Sequence, residues 1–156
     1  MKKPTIGGNF GSSIMYFNDT EIYNIESMPL FRASDEAVIY FNRASIHDIN
    51  SIADVGFLDL ISSSSAIIDN SKIFNINYKR KLDNASFINF SSTSSLIFNN
   101  TKFSNINVDG DLILIESKDK NSNSLLIYGS TFEDIKVKTG SIIKMATNQV
   151  IRIIII

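Results

Sequence analysis

The chain has 156 residues, 44% of them hydrophobic, with 15 basic and 16 acidic side chains and a formal net charge of -1. That is the length of one domain, and near-neutrality removes the field that would draw nucleic acid or an anionic lipid surface. With no cysteine there is no disulfide framework. With His47 as the one histidine there is no Cys/His metal cluster, and no run of about 18 apolar residues is present to span a membrane.

Residues 1–12 come first. Lys2 and Lys3 precede PTIGGNFGSS, which is no apolar h-region of a signal peptide. Three of the seven glycines fall here, and the segment reads as a partial N-terminal coil or cap. From residue 13 to 149 a repeat takes over. Its five copies are IMYFNDTEIYNI (14–25), VIYFNRASIHDI (38–49), SAIIDNSKIFNI (65–76), SLIFNNTKFSNI (95–106) and SLLIYGSTFEDI (124–135). Each closes on isoleucine: Ile25, Ile49, Ile76, Ile106 and Ile135. Three positions earlier stands Ile22, Ile46, Ile73, Phe103 or Phe132. Just before the closing residue stands Asn24, Asp48, Asn75, Asn105 or Asp134, and five before it the small Thr20, Ala44, Ser71, Thr101 or Ser130. The closing residues are 24, 27, 30 and 29 apart.

A third apolar piece separates the copies: residues 29–34, 57–63, 87–92, 112–117 and 141–146. Variable polar loops such as SKDKNSNS (117–124) absorb the changes in period. The basic run Lys79-Arg80-Lys81 reads as a solvated loop rather than a phosphate site. The last residues, QVIRIIII, read as the start of a further coil (150–156) whose corner never arrives. The chain is therefore expected to be a segment of a longer protein, flanked by adjoining repeats, or to lack part of its end.

A period of this size means a solenoid, propeller or array. Short β-branched runs and asparagine turns exclude helical repeats, and a propeller blade needs about 40 residues and four strands. Three short strands in each period fit one coil of a parallel β-helix, here of about five coils stacked roughly 4.8 Å apart. Like positions then lie over one another. The closing isoleucines and the Ile/Phe column line the interior. The Asn/Asp column sits at a turn, where stacked amides bond to each other, and the small column fits where the chain turns sharply inward.

The repeating [FI]-x-[ND]-I, with its preceding [ND]-x-[ST] turn, resembles right-handed parallel β-helices of the pectin-lyase-like superfamily. More narrowly it resembles secreted Asn- and Ile-rich β-helix repeats of anaerobic gut fungi, some of them in cellulosome scaffoldins; chlamydial polymorphic outer-membrane proteins are a looser match, lacking here their G-G-A-I motif. The resemblance implies an extracellular or cell-surface location. It also implies a cohesin-like receptor role toward dockerin-bearing enzymes.

Enzymes of that superfamily act on polysaccharide along an outer face, with grouped acids on adjacent coils. Asp48 and Asp134 share a column but stand three coils apart, on the order of 14 Å, with Asn75 and Asn105 between them. Arg43, His47 and Asp48 have no partner acid at the same place on the next coil. No phosphate loop, nucleophile elbow or EF-hand pattern is present, so no catalytic residue, metal ligand or cofactor is expected. Sequons at Asn18, Asn84, Asn89 and Asn99 are what chance supplies in so Asn- and Ser-rich a chain.

One feature stands apart. Alternate side chains of a strand face opposite ways, yet both parities of the first strand are apolar. Phe17, Phe41, Ile68, Phe98 and Ile127 form one set, and Tyr16, Tyr40, Ile67, Ile97 and Leu126 the other. The first set is assigned inward and the second outward, joined on the second strand by Tyr23, His47 and Phe74. Such a stripe is either a protein-partner surface or lies under a loop, a terminal segment or the next module. The expected function is a non-catalytic binding or scaffold module. The alternatives are a carbohydrate-active lyase or hydrolase, and an adhesin stalk.

Overall fold

The computed structural model describes residues 7–26, 30–53, 55–80, 82, 85–117, 122–147 and 151–156. All regular structure in them is β. A first strand, β1 (Gly7–Phe10), precedes five triplets. These are β2 (Ile14–Asn18), β3 (Glu21–Ile25) and β4 (Phe31–Ser34); β5 (Val38–Asn42), β6 (Ser45–Ala53) and β7 (Val55–Leu60); β8 (Ser65–Asp69), β9 (Lys72–Arg80) and β10 (Ser86–Ser91); β11 (Ser95–Asn99), β12 (Lys102–Asp109) and β13 (Asp111–Ser117); and β14 (Asn123–Tyr128), β15 (Thr131–Val137) and β16 (Ile143–Thr147). A last strand, β17 (Ile151–Ile155), follows.

Every third strand pairs in parallel. Sheet A has the order β1-β4-β7-β10-β13-β16, sheet B β17-β14-β11-β8-β5-β2 and sheet C β15-β12-β9-β6-β3. The fold is thus a parallel β-solenoid with three strands per coil, and from β3 to β15 the chain climbs four full turns. The register sets equivalent repeat positions side by side, as in Tyr16, Tyr40, Ile67, Ile97 and Leu126.

The interior follows the repeat. Ile46, Ile49, Ile73, Ile76, Phe103 and Ile106 are all buried, and Ile22, Ile25, Phe132 and Ile135 are partly buried and pack against them. Burying one such side chain contributes about 1.5–3 kcal/mol. Aromatic rings fill the corner between sheets A and B: Phe31 lies edge-on to Phe17 and Phe41, each at 5.0 Å, and Phe57 stacks on Phe87 at 5.6 Å. Tyr78 is buried beside them because its hydroxyl donates to the Ala53 carbonyl at 2.9 Å. Gly56 makes room for this packing, since a Cβ there would lie 2.6 Å from Phe87 and 2.7 Å from Tyr78.

Asparagine has two jobs, where the repeat suggested one. The turn between the first and second strand of each coil places Asp19, Arg43, Asn70, Asn100 and Gly129 at positive φ. Asn24, Asp48, Asn75, Asn105 and Asp134 are also left-handed, with φ of 50–56°. They lie inside β3, β6, β9, β12 and β15 rather than at the turn, and the ladder register skips them. Each is a single left-handed residue, at the same place on every strand, that bends the strand and resets the alternation without shifting the register. That is why the inward residues of [FI]-x-[ND]-I are three apart and not two. A left-handed residue costs an ordinary side chain roughly 1–2 kcal/mol, and Asn and Asp tolerate it best.

The small column works as inferred and adds hydrogen bonds between coils. Ser71 Oγ accepts from Ala44 N at 3.0 Å, and Ser130 Oγ accepts from Thr101 N at 3.0 Å. One local expectation is corrected. Lys79 and Arg80 are not a loop but the end of β9, because the alternation continues past buried Tyr78; Arg80 lies 3.9 Å from Asp109. Lys81, Asn84, residues 1–6, Pro29, 118–121 and 149–150 lie outside the described residues.

Candidate functional site on the outer faces of sheets B and C

Each strand of sheet B sends alternate residues outward. Three columns result. The central one is Tyr16, Tyr40, Ile67, Ile97, Leu126 and Ile154. On one side run Ile14, Val38, Ser65, Ser95 and Ser124; on the other Asn18, Asn42, Asp69, Asn99 and Tyr128. The parity is the one assigned from sequence. Phe41, Ile68, Phe98 and Ile127 are buried, whereas Tyr16 is 61% exposed and Tyr40, Ile67, Ile97 and Leu126 are half-buried.

The face is apolar at its centre, and Asp69 is the charged side chain among those described. Tyr16 and Tyr40 meet edge-on at 5.7 Å. The Tyr40 hydroxyl donates to Asp69 Oδ2 at 3.3 Å, and its pKa is raised, first by desolvation and then by the Asp69 carboxylate. Asn99 Nδ2 donates to Asp69 Oδ1 at 2.8 Å. A shallow depression lies between Ile97, Ser124, Leu126 and Ile154.

Sheet C carries the other three proposed binding residues, and they differ in kind. Tyr23, His47 and Phe74 stack face to face, at 5.5 and 4.6 Å with ring planes 8° and 13° apart. His47 has both faces covered, while Tyr23, on the terminal strand β3, stacks on one face only and is 51% exposed. The His47 side chain is only 13% exposed, with Nδ1 2.8 Å from Asp48 Oδ2 and Nε2 3.0 Å from Glu21 Oε1. A ring nitrogen facing a carboxylate needs a proton, so two such contacts select the imidazolium, a cation between two aromatic rings. Burial opposes that charge most, but the hydrogen bonds and charges of Glu21 and Asp48 together prevail and hold the His47 pKa above its ordinary value. Asp48 is held below the ordinary range by its bonds to His47 and Asn75.

Below this ladder the outer side chains of sheet C join into polar rows. Asn75 donates to Asp48 at 3.1 Å and Asn105 to Asn75 at 2.8 Å. Asn77 donates to Asn50 at 3.1 Å and Asn107 to Asn77 at 3.3 Å. At the turn between the sheets, Arg43 Nε and Nη2 clasp the Asp19 carboxylate, each at 2.6 Å. Asp48 therefore serves the ladder, and Asp134 stands three strands away in the same sheet. Of the sequons, Asn18 is exposed, while Asn99 and Asn89 donate to Asp69 and Asp59. Among the described residues no group of three His, Asp or Glu side chains is placed to hold a metal ion.

The structure thus splits the eight residues singled out from sequence. Tyr16, Tyr40, Ile67, Ile97 and Leu126 form one continuous stripe, whereas Tyr23, His47 and Phe74 form a ring stack on the neighbouring sheet, centred on a His47 whose ring faces and nitrogens are all engaged. The flanking columns of sheet B and the carboxylate partners of His47 were not foreseen. Counting two residues either side of the Tyr16 column, and following Glu21 along its register, would have found both. No protein-family model, curated protein or solved structure matches the chain.

Proposed function

We propose that the chain is a non-catalytic protein-binding and scaffold module, and that the outer face of sheet B is its contact surface. The observation that carries this is the central column, apolar on each of six consecutive strands, widened by Ile14 and Val38 and otherwise flanked by hydroxyl, amide, carboxylate and phenol groups. A contiguous exposed apolar patch rimmed by polar groups marks an interaction surface, and tyrosine at its centre suits a binding anchor. The proposed setting is an extracellular or cell-surface assembly. The narrower reading, a cohesin-like receptor for the dockerin domains of a fungal cellulosome, rests on the resemblance of the repeat.

The test is a pull-down from the native secretome with immobilised wild type and Ile97→Lys, followed by titration of whatever is captured, purified dockerin domains included. Saturable capture by the wild type and its loss in a variant that melts normally support the proposal. An empty wild-type column, or capture indifferent to Ile97→Lys, refutes it.

A further inference from the structure

The outer side of the joint between β3 and β6 is made around one imidazole. Tyr23 of β3 covers one face of the His47 ring and Phe74 of β9 the other. Glu21 of β3 meets Nε2 at 3.0 Å, and Asp48, on the same strand as His47, meets Nδ1 at 2.8 Å. The titratable groups facing the ring are therefore Glu21 and Tyr23 from β3 and Asp48 from β6. β9 presents Phe74 and Asn75, with Lys72 farther along in register with Ser45. Arg43 is held by Asp19 at the turn.

The two carboxylates differ in their freedom. Asp48 accepts a second bond from Asn75 at 3.1 Å and sits on a left-handed backbone, with φ at 53°. Glu21 is 63% exposed, and His47 is its carboxylate's one partner among the described residues. A neutral imidazole carries one N–H and one bare lone pair. When the ring gives up its second proton, one of these carboxylates faces a lone pair and is repelled. Asp48 is anchored and Glu21 is not, so the contact given up is the one between strands.

Nothing else on this face replaces it. Among the described residues, Glu21 to His47 is the one side-chain hydrogen bond between β3 and β6. The inner strands are instead joined by the donors Asn75, Asn77, Asn105 and Asn107, amides that do not titrate. Inside, Ile22 and Ile25 of β3 are only partly buried, whereas Ile46 and Ile49 of β6 are buried.

We infer that protonated His47 is a latch between β3 and β6, and that loss of its proton loosens β3 while the rest of the solenoid stays closed. The latch is fully closed below pH 6.5 and opens as pH rises through the raised pKa of the folded state. Opening removes a partly exposed ion pair and weakens a cation–π contact, which together change local opening about five-fold. The backbone ladder of β3 on β6 remains, so the strand frays more often without global unfolding.

With a single histidine in the chain, NMR of the imidazole gives one titration curve. Amide hydrogen exchange is followed alongside it from about pH 6 to 9, the range in which a histidine switch works. Rates are expressed as protection factors, so that the intrinsic pH dependence of exchange divides out. Protection over Glu21–Ile25 should fall about five-fold relative to Lys102–Asp109, with its midpoint on the imidazole titration. His47→Gln should remove the step. Glu21→Gln, whose amide can donate to the bare nitrogen, should shrink it and move the imidazole titration down. Constant β3 protection through the titration, an equal loss in β12, a step that survives in His47→Gln, or an imidazole titrating at or below its ordinary 6.5 would overturn the inference.

Discussion

Sheets B and C are built on one coil, share one rise and carry outward side chains at equivalent spacing, yet they use them differently. On sheet C the outer residues satisfy each other: Asp48, Asn75 and Asn105 form one amide row, Asn50, Asn77 and Asn107 another, and Tyr23, His47 and Phe74 a ring stack. Lys102 and Glu133 add an ion pair at 2.7 Å. On sheet B the corresponding column is Tyr, Tyr, Ile, Ile, Leu and Ile, and it remains exposed or half-exposed. Stacking identical coils makes side-chain ladders nearly unavoidable. What separates a structural face from an available one is whether the ladder's groups find partners within it.

The largest effect should come from neither face but from the core on which both rest. Ile106→Asp places a charge in a buried column and should abolish cooperative folding, read as loss of the thermal transition. Next, sheet C should respond to backbone conformation more than to its exposed amides. Asn75 holds φ at 54°, so Asn75→Ala should lose about 1–2 kcal/mol in urea unfolding. Asn75→Gly should lose about 1 kcal/mol less, because glycine accepts that φ freely. Equal losses would put the stabilisation in the amide row instead.

The ring stack adds a pH signature confined to sheet C. The His47 pKa is raised above 6.5, so its contribution is fully present below pH 6.5 and is lost as pH rises through the folded value. Asp48 is lowered below 3.8, so its contribution is present above pH 3.8 and is lost as pH falls through its folded value. The stack is therefore firmest between these limits. The wild-type melting temperature should decline on the alkaline side, and His47→Gln should flatten that decline. The smallest stability effect belongs to sheet B. Tyr16→Ala with Tyr40→Ala removes one edge-on ring pair, worth about 0.5–1.5 kcal/mol, and the long Tyr40–Asp69 hydrogen bond, while weakening partner capture severely.

Much of this comparison was legible in the sequence, because a solenoid turns columns of letters into columns in space. Five copies fixed the inward set, and Phe98 rather than Ile97 turned inward because Phe98 aligns with Phe17 and Phe41. The left-handed residues inside the strands were not legible. A three-residue gap between inward residues looks the same whether the chain turns a corner or inserts one left-handed residue into a strand. The His47 site was hidden for another reason. Its partner Glu21 is 26 residues away and arrives only through register, whereas Arg43, nearer in sequence, is held by Asp19. The end of β9 was concealed by charge, since Lys79 and Arg80 look like loop residues until Tyr78 is known to point inward.

The division between core and outer face depends most on two neighbouring side chains of β11 pointing opposite ways. Thermal melting of Ile97→Asp and Phe98→Asp, measured side by side, tests this directly. Phe98→Asp should lose its folded baseline, and Ile97→Asp should melt within about 5 °C of wild type, as expected for a surface change of under about 1 kcal/mol. Comparable destabilisation by both, or the greater loss in Ile97→Asp, would contradict it.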